Sequence, residues 1–274
     1  DRTATSMDEY ARYGGIIPEI ASRAHLESFL PTLHAALDEA GVTLADVDAI
    51  AVAAGPGLVG SLTVGICAAK ALASSLGKPL YGVNHVIGHL AVDKLAEGPL
   101  PEHFIGLVVS GGHSNILEIR NIATDVVELG GTLDDAAGEA FDKVGRLLGL
   151  PYPGGPHVDR LSQQGDREAI RFPRGLAAGK DKERHKYDFS FSGLKTAVAR
   201  YIEGTVARGE TVSKENVCAA FSEAVNDSLT AKAVRAALDT GCDTIVMGGG
   251  FSANSRLRAL LTERAEAAGV AVRM

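Results

Sequence analysis

Hydrophobic positions follow helical spacing in some segments of the chain and form continuous runs in others. Residues 21–40 place apolar side chains on one helical face and end at Gly41, and residues 214–240 predict a longer amphipathic helix. Continuous apolar runs bounded by glycine or polar residues predict buried strands at 47–54, 105–110 and 244–247. This alternation of helices and strands is typical of an α/β fold.

Weaker patterns complete the predicted elements. Helices are expected at 61–76, 85–96, 134–148 and 253–268, and strands at 79–83, 114–120, 126–129 and 270–274. The order strand, glycine turn, helix, strand occurs in both halves of the chain. We therefore predict two α/β lobes, residues 1–100 and 101–274, the second with a loop-rich insertion at about 151–213.

The two ends of the sequence interrupt this pattern. The sequence starts at Asp1 rather than at Met, and Met274 falls inside a predicted strand. We therefore expect a fragment truncated at both ends, without the opening strands of the first lobe and with the last strand and helix of the second lobe incomplete.

Charge and composition narrow the functional classes. The formal net charge is −7, which disfavours non-specific binding to nucleic acid, so an RNA ligand would require a local basic face or a partner protein. The three cysteines are widely spaced, which predicts neither disulfides nor a zinc knuckle and favours a reducing, cytoplasmic location. The longest apolar stretches contain Gly, Ser or Lys every few residues, so no membrane span is predicted.

Two histidines, His85 and His89, are four residues apart in a predicted helix. At this spacing both imidazoles lie on one helical face and can bind one metal ion, although two unrelated histidines remain an alternative. A zinc protease motif requires Glu directly after the first histidine, where this chain has Val86.

Glycine turns follow several predicted strands. Glycine accounts for 32 of the 274 residues, above the usual share of about 7%, and its clusters indicate loops where the backbone approaches a ligand. Ser110-Gly111-Gly112 could form an anion-binding nest, and Gly248–Gly250 leads into a helix whose N-terminus could meet a phosphate or an adenine. The loop 153–156 is expected to be rigid and to present the carboxylate of Asp159. Each motif alone is also typical of an ordinary turn.

Charged residues form two further clusters. Asp135, Glu139 and Asp142 are expected on one face of a helix, where they could bind a hydroxyl, a metal or a cation, or simply face solvent. The basic run Lys180–Lys186 is the best candidate for contact with RNA, with a solvated loop as the alternative. The basic residues near this run are Arg171, Arg174 and Lys195.

Eight segments, in order along the chain, resemble motifs of the TsaD family, the tRNA N6-adenosine threonylcarbamoyltransferases. They lie at 14–25, 55–60, 84–90, 109–113, 134–143, 148–156, 189–196 and 248–254. The resemblance implies a two-lobed, duplicated α/β fold of the actin/hexokinase/Hsp70 (ASKHA) kind.

The resemblance also implies roles for individual residues. His85 and His89 match family ligands of one divalent metal ion per subunit, with iron(II) favoured, zinc as the alternative and a third ligand expected beyond Met274. The positions that match those binding threonylcarbamoyl-AMP are Val108, Val109, Ser110, Gly111, Gly112, Asp142, Gly155, Asp159 and Asn254. No side-chain nucleophile is expected.

The implied reaction moves the threonylcarbamoyl group from threonylcarbamoyl-AMP to N6 of the adenosine next to the anticodon, in tRNAs that read ANN codons, and releases AMP. The expected partners are tRNA, a TsaB-type paralogue in a heterodimer and a TsaE-type ATPase, without a membrane. The alternatives are a non-catalytic scaffold of the same complex, which the histidine pair and Asn254 disfavour, and a sugar or acetate kinase, which residues 189–196 do not support.

Overall fold

The computed structural model describes the backbone of residues 1–274 and all side chains except those of residues 7–9. The chain folds into two compact units, residues 1–88 and 89–274. The predicted lobes, 1–100 and 101–274, stay a prediction.

Residues 1–88 contain a parallel strand pair joined by a helix. The helices are α1 (Met7–Tyr13), α2 (Pro18–Ala40) and α3 (Val59–Leu76), and the strands are β1 (Ile50–Gly55) and β2 (Leu80–Asn84). Proline in the first turn starts α2, and Gly41 ends it in the left-handed region at φ 66°, where glycine has no steric cost. The pairing of β1 with β2 is parallel, so α3 forms the crossover of a βαβ unit.

Helix α3 is rich in alanine and other small residues. Among the described residues it is the one helix that is long and apolar enough to cross a membrane. Core helices of other proteins meet the same criteria of length and composition. The expectation that no membrane is involved therefore stays a prediction.

The helix predicted at 85–96 is two helices, α4 (His85–Ala91) and α5 (Asp93–Glu97). The Leu95 N–H donates to the Val92 carbonyl, three residues back, at 2.9 Å, so the helical ladder tightens and is interrupted there. Both histidines lie in α4, and the division between the two compact units falls inside this helix, after Gly88.

Residues 89–274 contain a five-stranded sheet in the order β5-β4-β3-β6-β7. The strands are β3 (Phe104–Val109), β4 (Ser114–Asn121), β5 (Asp125–Gly131), β6 (Thr244–Gly248) and β7 (Ala271–Arg273). Strand β3 pairs antiparallel with β4 and parallel with β6, and both β3 and β6 are buried at every position, as their continuous apolar runs predicted.

Six helices complete this unit. They are α6 (Ala137–Leu147), α7 (Gly154–Ser162), α8 (Asp181–Arg184), α9 (Ser192–Ala207), α10 (Lys214–Thr240) and α11 (Ser255–Ala267), and a 3₁₀ turn (Gly250–Ala253) precedes α11. The bounds of α10 are those predicted, but the helix is not amphipathic, since it is buried on most sides by α7, α11 and the sheet. Its alanine-rich surface allows that close packing.

The segment predicted to be loop-rich contains α7, α8 and α9. The Gly-Gly-Pro sequence at 154–156 forms the first turn of α7 instead of a loop, because the N–H groups of a first helical turn have no partner within the helix and proline is tolerated there.

Aromatic side chains join these helices into one core. Phe141 of α6 lies between Phe221 of α10 and Phe251 of the 3₁₀ turn, with ring centroids 4.8 Å and 4.7 Å apart, and both Phe141 and Phe221 are fully buried. These contacts, worth about 1 kcal/mol per pair beyond the buried area, set the start of α6 beside the turn before α11.

Candidate functional site

A cavity of about 380 Å³ lies where α6, α7 and α11 begin, and its volume is within the range typical of small-molecule pockets. Four separate segments line it. These are Gly111, the α6 residues Gly138 and Asp142, the α7 region with Pro153, Gly155, Pro156, Asp159, Arg160 and Gln163, and the turn with Gly250, Phe251, Ala253 and Asn254.

Five of the predicted ligand-binding residues meet at this cavity. They are Gly111, Asp142, Gly155, Asp159 and Asn254. Three helices have their N-termini at the same place, and the positive ends of their dipoles favour an anionic ligand.

Val108, Val109, Ser110 and Gly112 do not line the cavity. The side chains of Val108 and Val109 are fully buried in β3. Two of the three amides in the predicted nest are used inside the turn: Ser110 N–H donates to the His113 carbonyl at 2.8 Å, and Gly112 N–H to Ser110 Oγ at 3.3 Å. Of the nest, only Gly111 reaches the cavity.

The turn after β3 lies directly against the first turn of α6. Gly138 N–H donates to the Ser110 carbonyl at 3.2 Å, and a Cβ atom at position 138 would lie 2.7 Å from the same oxygen. Only glycine permits this approach, which brings Gly111 next to α6.

Asp142 connects α6 to α7. Its Oδ1 accepts hydrogen bonds from the Gly154 and Gly155 amides at 2.7 Å and 3.2 Å, and so caps α7 from the neighbouring helix. Burial raises the pKa of the Asp142 carboxyl above its ordinary value, although the two amides act in the opposite direction. The carboxylate therefore positions the glycine turn and also faces the cavity.

The prediction that Asp135, Glu139 and Asp142 share one helical face is wrong. Asp135 precedes α6, because the helix begins at Ala137 and its N-cap, Ala136, is extended. Asp135 and Glu139 both pair with Lys143, at 2.7 Å and 2.8 Å. Of the three carboxylates, only Asp142 lines the cavity.

Asp159 joins α7 to the start of α11. Its Oδ1 accepts from Asn254 Nδ2 at 2.9 Å and from Ser255 Oγ at 2.9 Å. Asn254 is the N-cap of α11, since its Oδ1 accepts from the Leu257 N–H at 2.9 Å. Asp159 is therefore a bonded partner of Asn254, not a carboxylate on an isolated loop as the sequence predicted.

Sequence reasoning missed several residues of this cavity. Arg160 and Gln163 follow Asp159 in and just after α7, and a helix prediction over 154–162 would have placed them near it. Phe251 and Gly250 lie inside the segment 248–254 that was singled out, but only Asn254 was selected. The Phe251 ring offers an apolar surface beside the amides, carboxylates and guanidinium group of a site that could hold a nucleotide.

The predicted metal ligands do not form a complete site. His85 and His89 share α4, where a spacing of four residues places side chains on one helical face. Among the residues that the structure describes, no three His, Cys, Asp or Glu side chains lie close enough together to hold a metal ion. Two imidazoles are one protein ligand short of the usual set.

A groove of about 1120 Å³ is lined by residues between 167 and 178 together with Glu223, Asp227 and Arg256. Its arginines are Arg167, Arg171, Arg174 and Arg256. Arg256 binds Glu223 through two nitrogens at 2.6 Å and 2.8 Å, and Arg174 pairs with Asp227 at 2.8 Å.

Arg167 and Arg171 are exposed, and neither forms an ion pair within the described part of the chain. In the predicted basic run, Lys186 pairs with Asp239, whereas Lys180, Lys182 and Arg184 are exposed. The run does not line this groove, and its contact with RNA stays a prediction.

Comparison with solved structures shows the fold. The crystal structure of T. kodakarensis HypF matches with a TM-score of 0.62 and 15% identity, over 85% of this chain and 38% of that chain. Full-length HypF in the phosphate- and nucleotide-bound form matches with a TM-score of 0.59 and 17% identity, over 83% and 43%. The predicted α/β fold of the ASKHA kind is confirmed.

Comparison of sequences shows the family. The profile of TsaD, described as tRNA N6-adenosine threonylcarbamoyltransferase, matches residues 1–274. Proteins of that name from Bifidobacterium adolescentis and Bifidobacterium longum are each 56% identical over 271 residues, 99% of this chain and 78% of theirs. The one from Corynebacterium diphtheriae is 55% identical over 275 residues and is likewise covered to 78%. The chain therefore belongs to the TsaD family of tRNA N6-adenosine threonylcarbamoyltransferases.

Proposed function

We propose that this chain transfers the threonylcarbamoyl group from threonylcarbamoyl-AMP to N6 of the adenosine next to the anticodon of tRNAs that read ANN codons. The observation that carries the proposal is the cavity, because segments far apart in sequence and matching four family motifs meet there. Its polar groups suit an adenylate.

The cavity has groups that can bind the ribose, the phosphate and the base of an adenylate. The carboxylates of Asp142 and Asp159 accept hydrogen bonds from ribose hydroxyls or an amino group, and Arg160 and the helix N-termini favour the phosphate. The Phe251 ring provides an apolar face for the base.

The transfer itself requires no nucleophilic side chain. The exocyclic amine of adenosine attacks the carbamoyl carbon, a new C–N bond forms, and the bond from that carbon to the phosphate oxygen breaks. The amine loses one proton, and AMP leaves with the electron pair of the broken bond. The role of the cavity is to hold the adenylate so that the reacting carbon faces the tRNA.

The metal and the protein partners belong to the same proposal. One divalent ion, iron(II) in preference to zinc, would be held in part by His85 and His89 and would polarise the threonylcarbamoyl group. A TsaB-type paralogue and a TsaE-type ATPase would complete the complex, and the net charge of −7 supports a requirement for help in holding tRNA. A cytoplasmic location, which the three widely spaced cysteines favour, is part of the proposal.

The arginine groove is the surface that we propose for the tRNA backbone. Arg167 and Arg171 are exposed, and an Arg guanidinium can bind a phosphate through two parallel hydrogen bonds.

The test uses the full-length protein with its partners, unmodified tRNA that reads ANN codons, threonine, bicarbonate and ATP. We expect modified adenosine by mass spectrometry and a loss of at least about tenfold in the Asp159→Ala variant, because Asn254 and Ser255 lose their common acceptor. The matched control is Asp166→Ala, an exposed aspartate that accepts from the Glu168 N–H and does not line the cavity.

An unmodified tRNA with every partner present would contradict the transferase function. Intact binding to the paralogue in that experiment would favour the non-catalytic scaffold.

A further inference from the structure

A fully buried asparagine lies behind the cavity. Asn226 is in the middle of α10, and its exposed fraction is 0%. Burial of a side-chain amide is unfavourable unless the amide forms hydrogen bonds, so we identified the partners of Asn226.

Asn226 donates a hydrogen bond to a residue that lines the cavity. Its Nδ2 donates to Asn254 Oδ1 at 3.0 Å and to Ser222 Oγ at 3.1 Å. Asn254 in turn lines the cavity and donates from its own Nδ2 to Asp159. A chain of hydrogen bonds therefore runs from the core of α10 to the cavity wall.

These contacts determine the orientation of both amides. Asn254 Oδ1 must face the Leu257 N–H, since a rotated amide would place two donors together. Asn226 must then present its nitrogen to that oxygen. In this orientation Asn226 Oδ1 is buried and has no hydrogen-bond partner among the described residues. The Asn226 Nδ2 donor is therefore satisfied, whereas its Oδ1 acceptor is not.

The consequence at the cavity is a fixed donor. An amide nitrogen carries two hydrogens, and Asn254 uses one of them for Asp159. The other is directed by the same fixed amide plane and is left for a ligand. If the Asn254 amide rotated, its oxygen would face the Asp159 carboxylate, which is an acceptor only.

We propose that Asn226 is a positioning residue for the adenylate: by donating to Asn254 Oδ1 it holds the Asn254 amide with Nδ2 towards the cavity. This inference rests on the proposed function of the site. It assigns to a residue of the hydrophobic core a role in ligand affinity.

The experiment compares Asn226→Asp and Asn226→Ala with wild type in the full-length complex. Asn226→Asp keeps the shape but replaces the donor by an acceptor, and Asn226→Ala removes the donor without adding a charge, which keeps the test valid if the buried carboxylate prevents folding. The matched control is Thr230→Val, one turn later in α10, since Thr230 is also fully buried and hydrogen-bonded but does not contact Asn254. The measurements are the Kd of AMP by calorimetry, KM and kcat for threonylcarbamoyl-AMP, and Tm.

We expect the Kd of AMP and the KM to rise about tenfold in both Asn226 variants, as for loss of one oriented hydrogen bond, with kcat changed far less. Thr230→Val should lower Tm and leave the Kd within about twofold of wild type. An active wild type whose Asn226 variants keep normal Kd and KM would overturn this inference alone, and so would an equal rise in the control. A wild type that does not modify tRNA would overturn the proposed function itself.

Discussion

The Asp134 carboxylate caps a helix that is distant in the sequence. It accepts hydrogen bonds from the Phe191 and Ser192 amides at 2.8 Å and 3.2 Å, and from the hydroxyls of Ser190 and Ser192 at 2.6 Å and 2.7 Å. It thereby caps α9 from a position 57 residues earlier in the chain. Asp134 itself lies before α6, which starts at Ala137.

These contacts make stability depend on pH in a defined direction. Burial alone would raise the pKa of Asp134, but the hydrogen bonds from Ser190, Ser192 and Phe191 hold it below the ordinary value of 3.8. A carboxyl with a lowered pKa stabilises the folded state above its unfolded pKa, and this contribution is lost as pH falls through the folded value.

Asp134→Asn should therefore lower the free energy of unfolding by about 1 kcal/mol at neutral pH, a small value because the residue is exposed and partly screened by solvent. The difference from wild type should stay constant down to about pH 5 and shrink below it. Urea unfolding at several pH values measures this, with Asp125→Asn, an exposed aspartate of β5, as the control. A difference that grows in acid would contradict the assignment.

The two histidines of α4 permit a second test at the residue scale. If they hold the metal, the full-length protein should bind about one divalent ion per chain, and His85→Ala with His89→Ala should lose nearly all of it. Metal content by mass spectrometry gives the readout. His103→Ala is the control, since His103 pairs with Glu118 at 2.9 Å and lies outside α4; equal metal loss there would count against the pair.

At the scale of elements, close backbone contacts between helices shape the cavity. Gly138 brings α6 against the turn after β3, and Gly145 of the same helix touches α7, where an added Cβ would lie 2.9 Å from the Gly154 Cα. Both contacts involve backbone, which gives way less easily than a side chain. Glycines without a functional side chain therefore determine how closely the elements around the cavity pack.

Gly138→Ala should destabilise the protein by about 1–3 kcal/mol and reduce transfer activity, because the new methyl group collides with the Ser110 carbonyl and displaces α6 together with Asp142. Thermal unfolding and the tRNA modification assay measure the two effects. Gly193→Ala is the matched control, since that helical glycine has no atom within 4 Å of the added methyl group, and alanine is the better helix former. Equal losses at both positions would refute the steric explanation.

At the scale of the whole molecule, an acidic chain belongs to a family that acts on tRNA. The net charge of −7 opposes contact with phosphates, so a local basic surface or a partner protein has to provide that contact. The arginine groove is such a surface, because Glu223 and Asp227 neutralise Arg256 and Arg174 while Arg167 and Arg171 remain without ion pairs in the described residues.

Arg171→Glu should lower the affinity of the full-length complex for tRNA by about tenfold and reduce the slope of log K against log salt by about 1. The affinity for AMP should not change. Filter binding at several salt concentrations measures the slope, and Arg146→Glu, exposed in the last turn of α6, is the control with the same change in net charge. A uniform loss for both variants would assign the effect to net charge and not to the groove.

The sequence by itself determined most elements and the family. Continuous apolar runs located β3 and β6, and the predicted bounds of α10 are those observed, although the expected amphipathic pattern is absent. The family resemblance identified the residues at 111, 142, 155, 159 and 254 that meet at the cavity. These features are local, since burial of a strand or a helix face leaves its period in the sequence.

Only the tertiary structure decided which side chains bond to each other. Asp159 and Asn254 are 95 residues apart, Asp134 and Phe191 57 apart, and Asn226 looked like one more position of a core helix. The structure also differs from the sequence-based prediction in two element bounds: α6 starts at Ala137, and residues 154–156 of the predicted loop form the first turn of α7. A buried polar group forms hydrogen bonds with the groups that packing places near it. Because packing depends on all the elements together, a local sequence pattern does not predict which residues become hydrogen-bond partners.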